Sequence, residues 1–117
     1  MDNKMNFQHK ELAAGRWAQM SQCEQLANVG SEVSRALNWR NKGKTDMSLR
    51  AVDRALELID LTVATLKTYP RLKEVLRVRE ALVDYFYGDN IYSSTEEQWR
   101  KYFDYFAYAS LREKRHG

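Results

Sequence analysis

The sequence predicts an all-α protein, an up-down-up-down four-helix bundle with an N-terminal arm, and three observations carry that expectation. Apolar residues recur three and four apart over four separate stretches, the period of a helix with one buried face. One proline and five glycines punctuate 117 residues, and they fall where helix stops are wanted. No stretch shows the period-two alternation of a half-buried strand. Short connections, about two to eight residues long, favour antiparallel neighbours.

Each element has its own signals. Residues 1–20 are read as the arm and 21–117 as the bundle; Gly15 weakens a continuous helix in the arm, and Trp17 is expected to pack on the bundle or on a second copy. Ser21 and Glu24 form a capping-box pattern, opening a helix over about 22–42. Its stripe is Leu26, Val29, Gly30, Val33 and Leu37, with Gly43 as the stop. A second helix follows Thr45 or Asp46, either of which can serve as N-cap, and buries Val52, Ala55, Leu56, Ile59, Val63 and Leu66. Pro70 sets the first turn of a third, which runs through Leu72, Val75, Leu76, Leu82, Val83 and Phe86 to Gly88. The fourth follows Ser93-Ser94-Thr95, with Glu96 and Glu97 placed for overlapping capping boxes, and buries Trp99, Tyr102, Phe103, Phe106 and Ala109.

Composition excludes several classes. Hydrophobic residues at 44% and charged residues at 30% match a globular chain, and one cysteine supplies no disulfide framework. No apolar run approaches the ~18 residues of a spanning helix, and residues 1–10 lack the apolar centre of a signal peptide. A cytoplasmic location without membrane contact is therefore expected. The net charge of +3 is unevenly spread: Lys44 to Asp89 holds eight basic and eight acidic residues, so the excess lies at the ends. In an up-down bundle Lys67, Arg71, Lys73, Arg112, Lys114 and Arg115 would share one end, a possible nucleic-acid contact or a solubilising tail.

The candidate polar cluster comprises Glu32, Arg35, Arg54, Glu57, Asp60, Arg77, Arg79, Glu80 and Asp84. Glu57 with Asp60, and Glu80 with Asp84, place paired carboxylates on helical faces. If those faces meet, four carboxylates could hold Mg²⁺, a hard ion that takes oxygen ligands. These acidic helices are similar in part to the all-α nucleoside triphosphate pyrophosphohydrolases, whose first E-x-x-E pair has no counterpart before Glu57. Arg54 and Arg77, one turn away, compete with a metal, so ordinary salt bridges are the plainer expectation. Arg79 falls in line with Val75, Leu76, Leu82 and Val83, where an unpaired guanidinium is costly; pairing with Glu32 or Glu57 is expected. Cys23 lies just inside a helix, whose dipole can lower a thiol pKa, although a small buried hydrophobe is the simpler role. His9 and His116 are both terminal, and Glu113-x-x-His116 is only half of a di-iron bundle motif. Arg112 and His116 resemble the arginine–histidine pair of HEPN-class toxin ribonucleases, at a shorter gap.

The blocks ELAAGRW (11–17), NVGSEVSRALNW (28–39), RALELIDLT (54–62), RLKE (71–74) and YFYGDNIY (85–92) resemble a family of small uncharacterised prokaryotic helical-bundle proteins. The resemblance implies a freestanding cytosolic protein and transfers no catalytic residue. The expectation is a small interaction or assembly protein, a homodimer with no cofactor, using its apolar and aromatic surface and the arm. Mg²⁺-dependent nucleotide hydrolysis and nucleic-acid binding through the basic end are the alternatives.

Overall fold

The computed structural model describes residues 15–116, and every regular element among them is helical. Four long helices, α1 (Gln22–Asn41), α2 (Thr45–Thr65), α3 (Tyr69–Tyr87) and α4 (Glu96–His116), follow a single helical turn at 15–18. The result is a helical bundle in which none of these helices is long and apolar enough to cross a membrane.

The helix starts follow capping chemistry, with three corrections to the expected pattern. Ser21 Oγ accepts the Glu24 N–H at 3.1 Å. The Glu24 carboxylate turns instead to Lys114 Nζ at 3.5 Å, so the serine half of the box carries the cap. Lys44, not Thr45 or Asp46, is the N-cap of α2, and it supplies no side-chain bond. The reason lies in Gly43, whose φ of +74° turns the chain so tightly that helix resumes two residues later. At α4 the boxes at Ser93 and Ser94 give way to one between Thr95 and Gln98. Gln98 N–H donates to Thr95 Oγ1 at 3.1 Å and Thr95 N–H to Gln98 Oε1 at 3.0 Å. Ser93, at φ +56°, is still inside the preceding turn.

Helix α1 is the hub. It buries Leu26, Val29, Gly30, Val33, Ala36 and Leu37, whereas α3 fully buries only Val75 and Leu82. Contacts between α1 and α2 run in opposite order along the two helices: Ser48 to Ala36, Arg54 to Glu32, Thr65 to Gln25. The same holds for α1 and α4, through Arg100 to Ser34 and Ser21 to Glu113. At their closest approach only a glycine fits: a Cβ on Gly30 would lie 2.6 Å from Phe103 Cβ. Trp99 and Phe103 stack at 6.2 Å, Tyr102 meets Phe103 and Phe106 edge-on, and Tyr85 of α3 meets Trp99 edge-on at 6.4 Å.

Trp17 packs on the bundle. Its ring is buried, its Nε1–H donates to Thr62 Oγ1 at 2.9 Å, and its carbonyl accepts Gln25 Nε2–H at 2.9 Å. Both polar groups of a buried tryptophan are thus satisfied, which fixes residues 15–18 across the α1–α2 seam. The rest of the arm and His9 lie outside the described residues.

Candidate functional site

The nine residues of the polar cluster are distributed over separate ion pairs and loop contacts. Glu32 on α1 receives Arg35 Nη1 at 3.1 Å from one turn along and Arg54 Nε at 3.3 Å from α2. Arg79 pairs with Asp60, not with Glu32 or Glu57: Nε and Nη2 reach the two carboxylate oxygens at 2.8 and 3.3 Å. The physical reason is register. α3 runs against α2 with Tyr87 opposite Asp53 and Arg79 opposite Asp60, and Glu32 on α1 is already occupied by two arginines. The Arg79 side chain keeps 37% of its surface, so its head reaches water while the stem covers the apolar stripe.

The carboxylates proposed for Mg²⁺ do not converge. Asp60 holds Arg79. Asp84 accepts the Ile91 and Tyr92 N–H groups at 2.9 and 3.1 Å and so shapes the α3–α4 turn. Glu80 accepts the Tyr92 hydroxyl at 3.3 Å. Glu57 and Arg77 are exposed, and neither forms an ion pair among the described residues. No group of three or more His, Cys, Asp or Glu among the described residues could hold a metal ion.

Two groupings are visible only in the fold. The first centres on Arg100, whose Nε meets Glu96 at 2.9 Å while Nη1 and Nη2 reach Ser34 and Asn38 on α1 at 3.1 and 2.8 Å. This guanidinium, with the Asn41 amide behind it, holds the Glu96 carboxyl below its ordinary pKa. Beside it a pocket of about 100 Å³ opens between α1 and α4, lined by Gly30, Ser34, Trp99 and Arg100 among others. Trp99 Nε1 is buried with no hydrogen-bond partner among the described residues. This pocket is far smaller than the roughly 300–1,000 Å³ of a nucleotide-sized site.

The second lies at the end where α1 begins and α4 finishes. Ser21 donates to Glu113 at 2.6 Å, Arg71 pairs with Glu74 at 3.1 Å, and the Tyr102 hydroxyl donates to Glu74 at 2.8 Å. Burial and then the Glu74 bond push the Tyr102 pKa well up. Cys23 belongs to this cluster, and its thiol pKa is raised by burial and by Glu113, not lowered by the helix dipole. A thiol held protonated is a poor nucleophile. Two of the basic residues expected to form a free cationic end, Arg71 and Lys114, are paired with Glu74 and Glu24.

The aromatic residues divide. Trp99, Phe103 and Phe106 are core, and Tyr85 lies under Arg40, whose guanidinium carbon is 4.5 Å from the ring centre. Tyr87, Tyr92, Tyr105 and Tyr108 are exposed instead, as is the aliphatic Ile91. Tyr87 and Tyr92 spend their hydroxyls on Asp53 and Glu80. Tyr105 and Tyr108, with Leu111, stand out from α4 with about two-thirds of their surface in solvent (65, 65 and 66%), and neither hydroxyl is bonded among the described residues. Three and six residues apart, they share one helical face, opposite the Phe103–Phe106 side. Comparison with protein-family models, curated proteins and solved structures finds no match to this chain.

Proposed function

We propose that the protein is a small cytoplasmic interaction or assembly module, an up-down-up-down four-helix bundle that acts through the outward face of α4 and associates with a second copy of itself. The observation that carries this reading is the ridge of Tyr105, Tyr108 and Leu111 on a helix whose opposite side carries the buried Trp99, Phe103 and Phe106. Large exposed apolar groups gathered on one face mark interaction surfaces, whereas scattered ones need no explanation. Tyrosine is also enriched at the energetic centres of interfaces. The descending order of contacts between consecutive helices supports the antiparallel topology. The resemblance of its sequence blocks to small prokaryotic helical-bundle proteins fits the same picture. An Mg²⁺-dependent hydrolase finds no support in the separated carboxylates, and a basic nucleic-acid surface finds little in an end where cations are interleaved with Glu24, Glu74 and Glu113.

Sedimentation velocity over a wide concentration range tests the reading. A mass rising toward that of a dimer, and a fall back to monomer for Tyr108→Glu with unchanged helix content, is the expected result. A monomer at every concentration removes self-association.

A further inference from the structure

Resting on that reading, we infer that two copies pair through α4 antiparallel to α4, with the twofold axis passing beside Tyr108. The outward face of α4 carries Lys101, Asp104, Tyr105, Tyr108, Leu111, Arg112 and Arg115, all exposed. About Tyr108 the face is self-complementary on reversal: the positions three residues to either side are both apolar (Tyr105, Leu111), and those four away carry opposite charges (Asp104, Arg112). An isologous contact brings each residue against its mirror position, so only a self-complementary face can form one. Reversing a copy of α4 about Tyr108 stacks the two Tyr108 rings at the centre. It sets Tyr105 beside the partner's Arg112, a cation over an aromatic face. It also puts Asp104 within one turn of the partner's Arg112 and the partner's Arg115. Lys101 then shares a level with the partner's Arg115, and both are long enough to turn outward to water.

A parallel arrangement loses these matches, because it sets Asp104 against Asp104 and Arg112 against Arg112, like charge on like. The antiparallel pair also opposes the two helix dipoles. The other exposed apolar residues are more dispersed: Tyr69, Leu76 and Tyr87 share a face of α3 but lie seven and eleven residues apart, Met47 stands in the first turn of α2, Ile91 and Tyr92 lie in a turn, and the Tyr87 and Tyr92 hydroxyls are taken. Two tyrosines and a leucine at this exposure offer on the order of 350 Å² per copy, given the ~150–250 Å² an aromatic side chain can bury. A standard interface buries ~800 Å² per partner. The contact is therefore small, and the dimer is expected to be a reversible one.

The test uses the full chain. In a Cys23→Ser background, Tyr108→Cys is expected to form a disulfide-linked dimer under mild oxidation at least tenfold faster than Tyr105→Cys or Leu111→Cys. Only a residue on the axis meets its own copy within disulfide reach. Asp104→Arg and Arg112→Asp are each expected to weaken the dimer about tenfold by sedimentation, and the two together to recover most of that loss. All of these positions are exposed, and helix content by circular dichroism checks that each variant folds. If the protein dimerises but cross-linking shows no preference for position 108 and the charge changes have no effect, this interface is wrong while self-association stands. If the protein is monomeric throughout, both fall.

Discussion

Substituting Gly30 by alanine sets two effects of known size against each other. In a helix interior the change is worth about 1 kcal/mol of stability, because alanine loses less backbone freedom on folding. Against it stands the contact with α4, where the new Cβ would lie 2.6 Å from Phe103 Cβ, 3.0 Å from Cγ and 3.2 Å from Cδ1. Carbon atoms rest at about 3.5–4.0 Å, so the helices must separate by close to an ångström locally. The nearest atom is a Cβ, which every residue but glycine carries, so no rotamer of Phe103 relieves the overlap. Overpacking of this kind costs roughly 1–3 kcal/mol, and the tight contact places this site at the upper end. The net expectation is a loss of about 2 kcal/mol, read as a lower urea midpoint at unchanged slope. For a chain of this size it lowers Tm by about 8 °C. Gly15→Ala is the control, because a Cβ there meets nothing within 4 Å. It should be neutral or slightly stabilising. If Gly30→Ala stabilises the protein as much as Gly15→Ala does, the close α1–α4 approach is not where we place it.

Trp17→Ala should cost roughly 3–5 kcal/mol in denaturant unfolding, as a buried aromatic truncation does, while a loss below about 1 kcal/mol would mean the arm is not part of the core. Thr62→Val, which leaves the Trp17 indole N–H without its acceptor, should cost about 1–3 kcal/mol, and an unchanged midpoint would contradict the Trp17–Thr62 bond. Arg79→Met should change stability by no more than ~1 kcal/mol, since the Asp60 pair is largely solvent-exposed; a larger loss would mean a more buried ion pair than the one described. The Tyr87 hydroxyl, bonded to Asp53 at 2.6 Å, has its pKa pushed from 10.0 up to about 12. Because the folded value is the higher one, this contribution is complete below pH 10 and is lost as pH rises through about 12. Stability measured against pH should therefore fall less steeply over that window in Tyr87→Phe than in the parent, and identical slopes would remove the bond.

Much of the architecture is legible because it rests on local periodicity. The stripe Leu26, Val29, Gly30, Val33 and Leu37 is buried throughout, as its spacing requires. Pro70 and Gly88 bracket α3 as expected. The capping errors share one cause. Several hydroxyl and carboxylate residues in a row can each serve as a cap, and the choice depends on the turn before them, set here by Gly43 and Ser93 at positive φ. In the polar cluster, helical spacing fixes only which face a residue occupies. It does not say which turn of a neighbouring helix lies opposite, so Arg79 was assigned to the wrong acid. Tyr105 and Tyr108 show the same limit: an aromatic at the edge of a stripe reads alike whether a neighbour covers it or not.

By itself, then, the sequence determined an all-helical fold over the described residues, the four helical segments, most of the core face of each (Leu76 of α3, expected inside, is 42% exposed) and the absence of an apolar span, because these follow from periodicity and caps within about one turn of chain. Only the tertiary structure decided that Trp17 closes the α1–α2 seam, that Asp60 rather than a glutamate receives Arg79, that the four carboxylates stay apart and that α4 keeps an uncovered aromatic ridge. Each of these depends on the axial offset and closeness of packed helices, which are set by how side chains such as Gly30 and Phe103 interlock and leave no periodic trace in the chain.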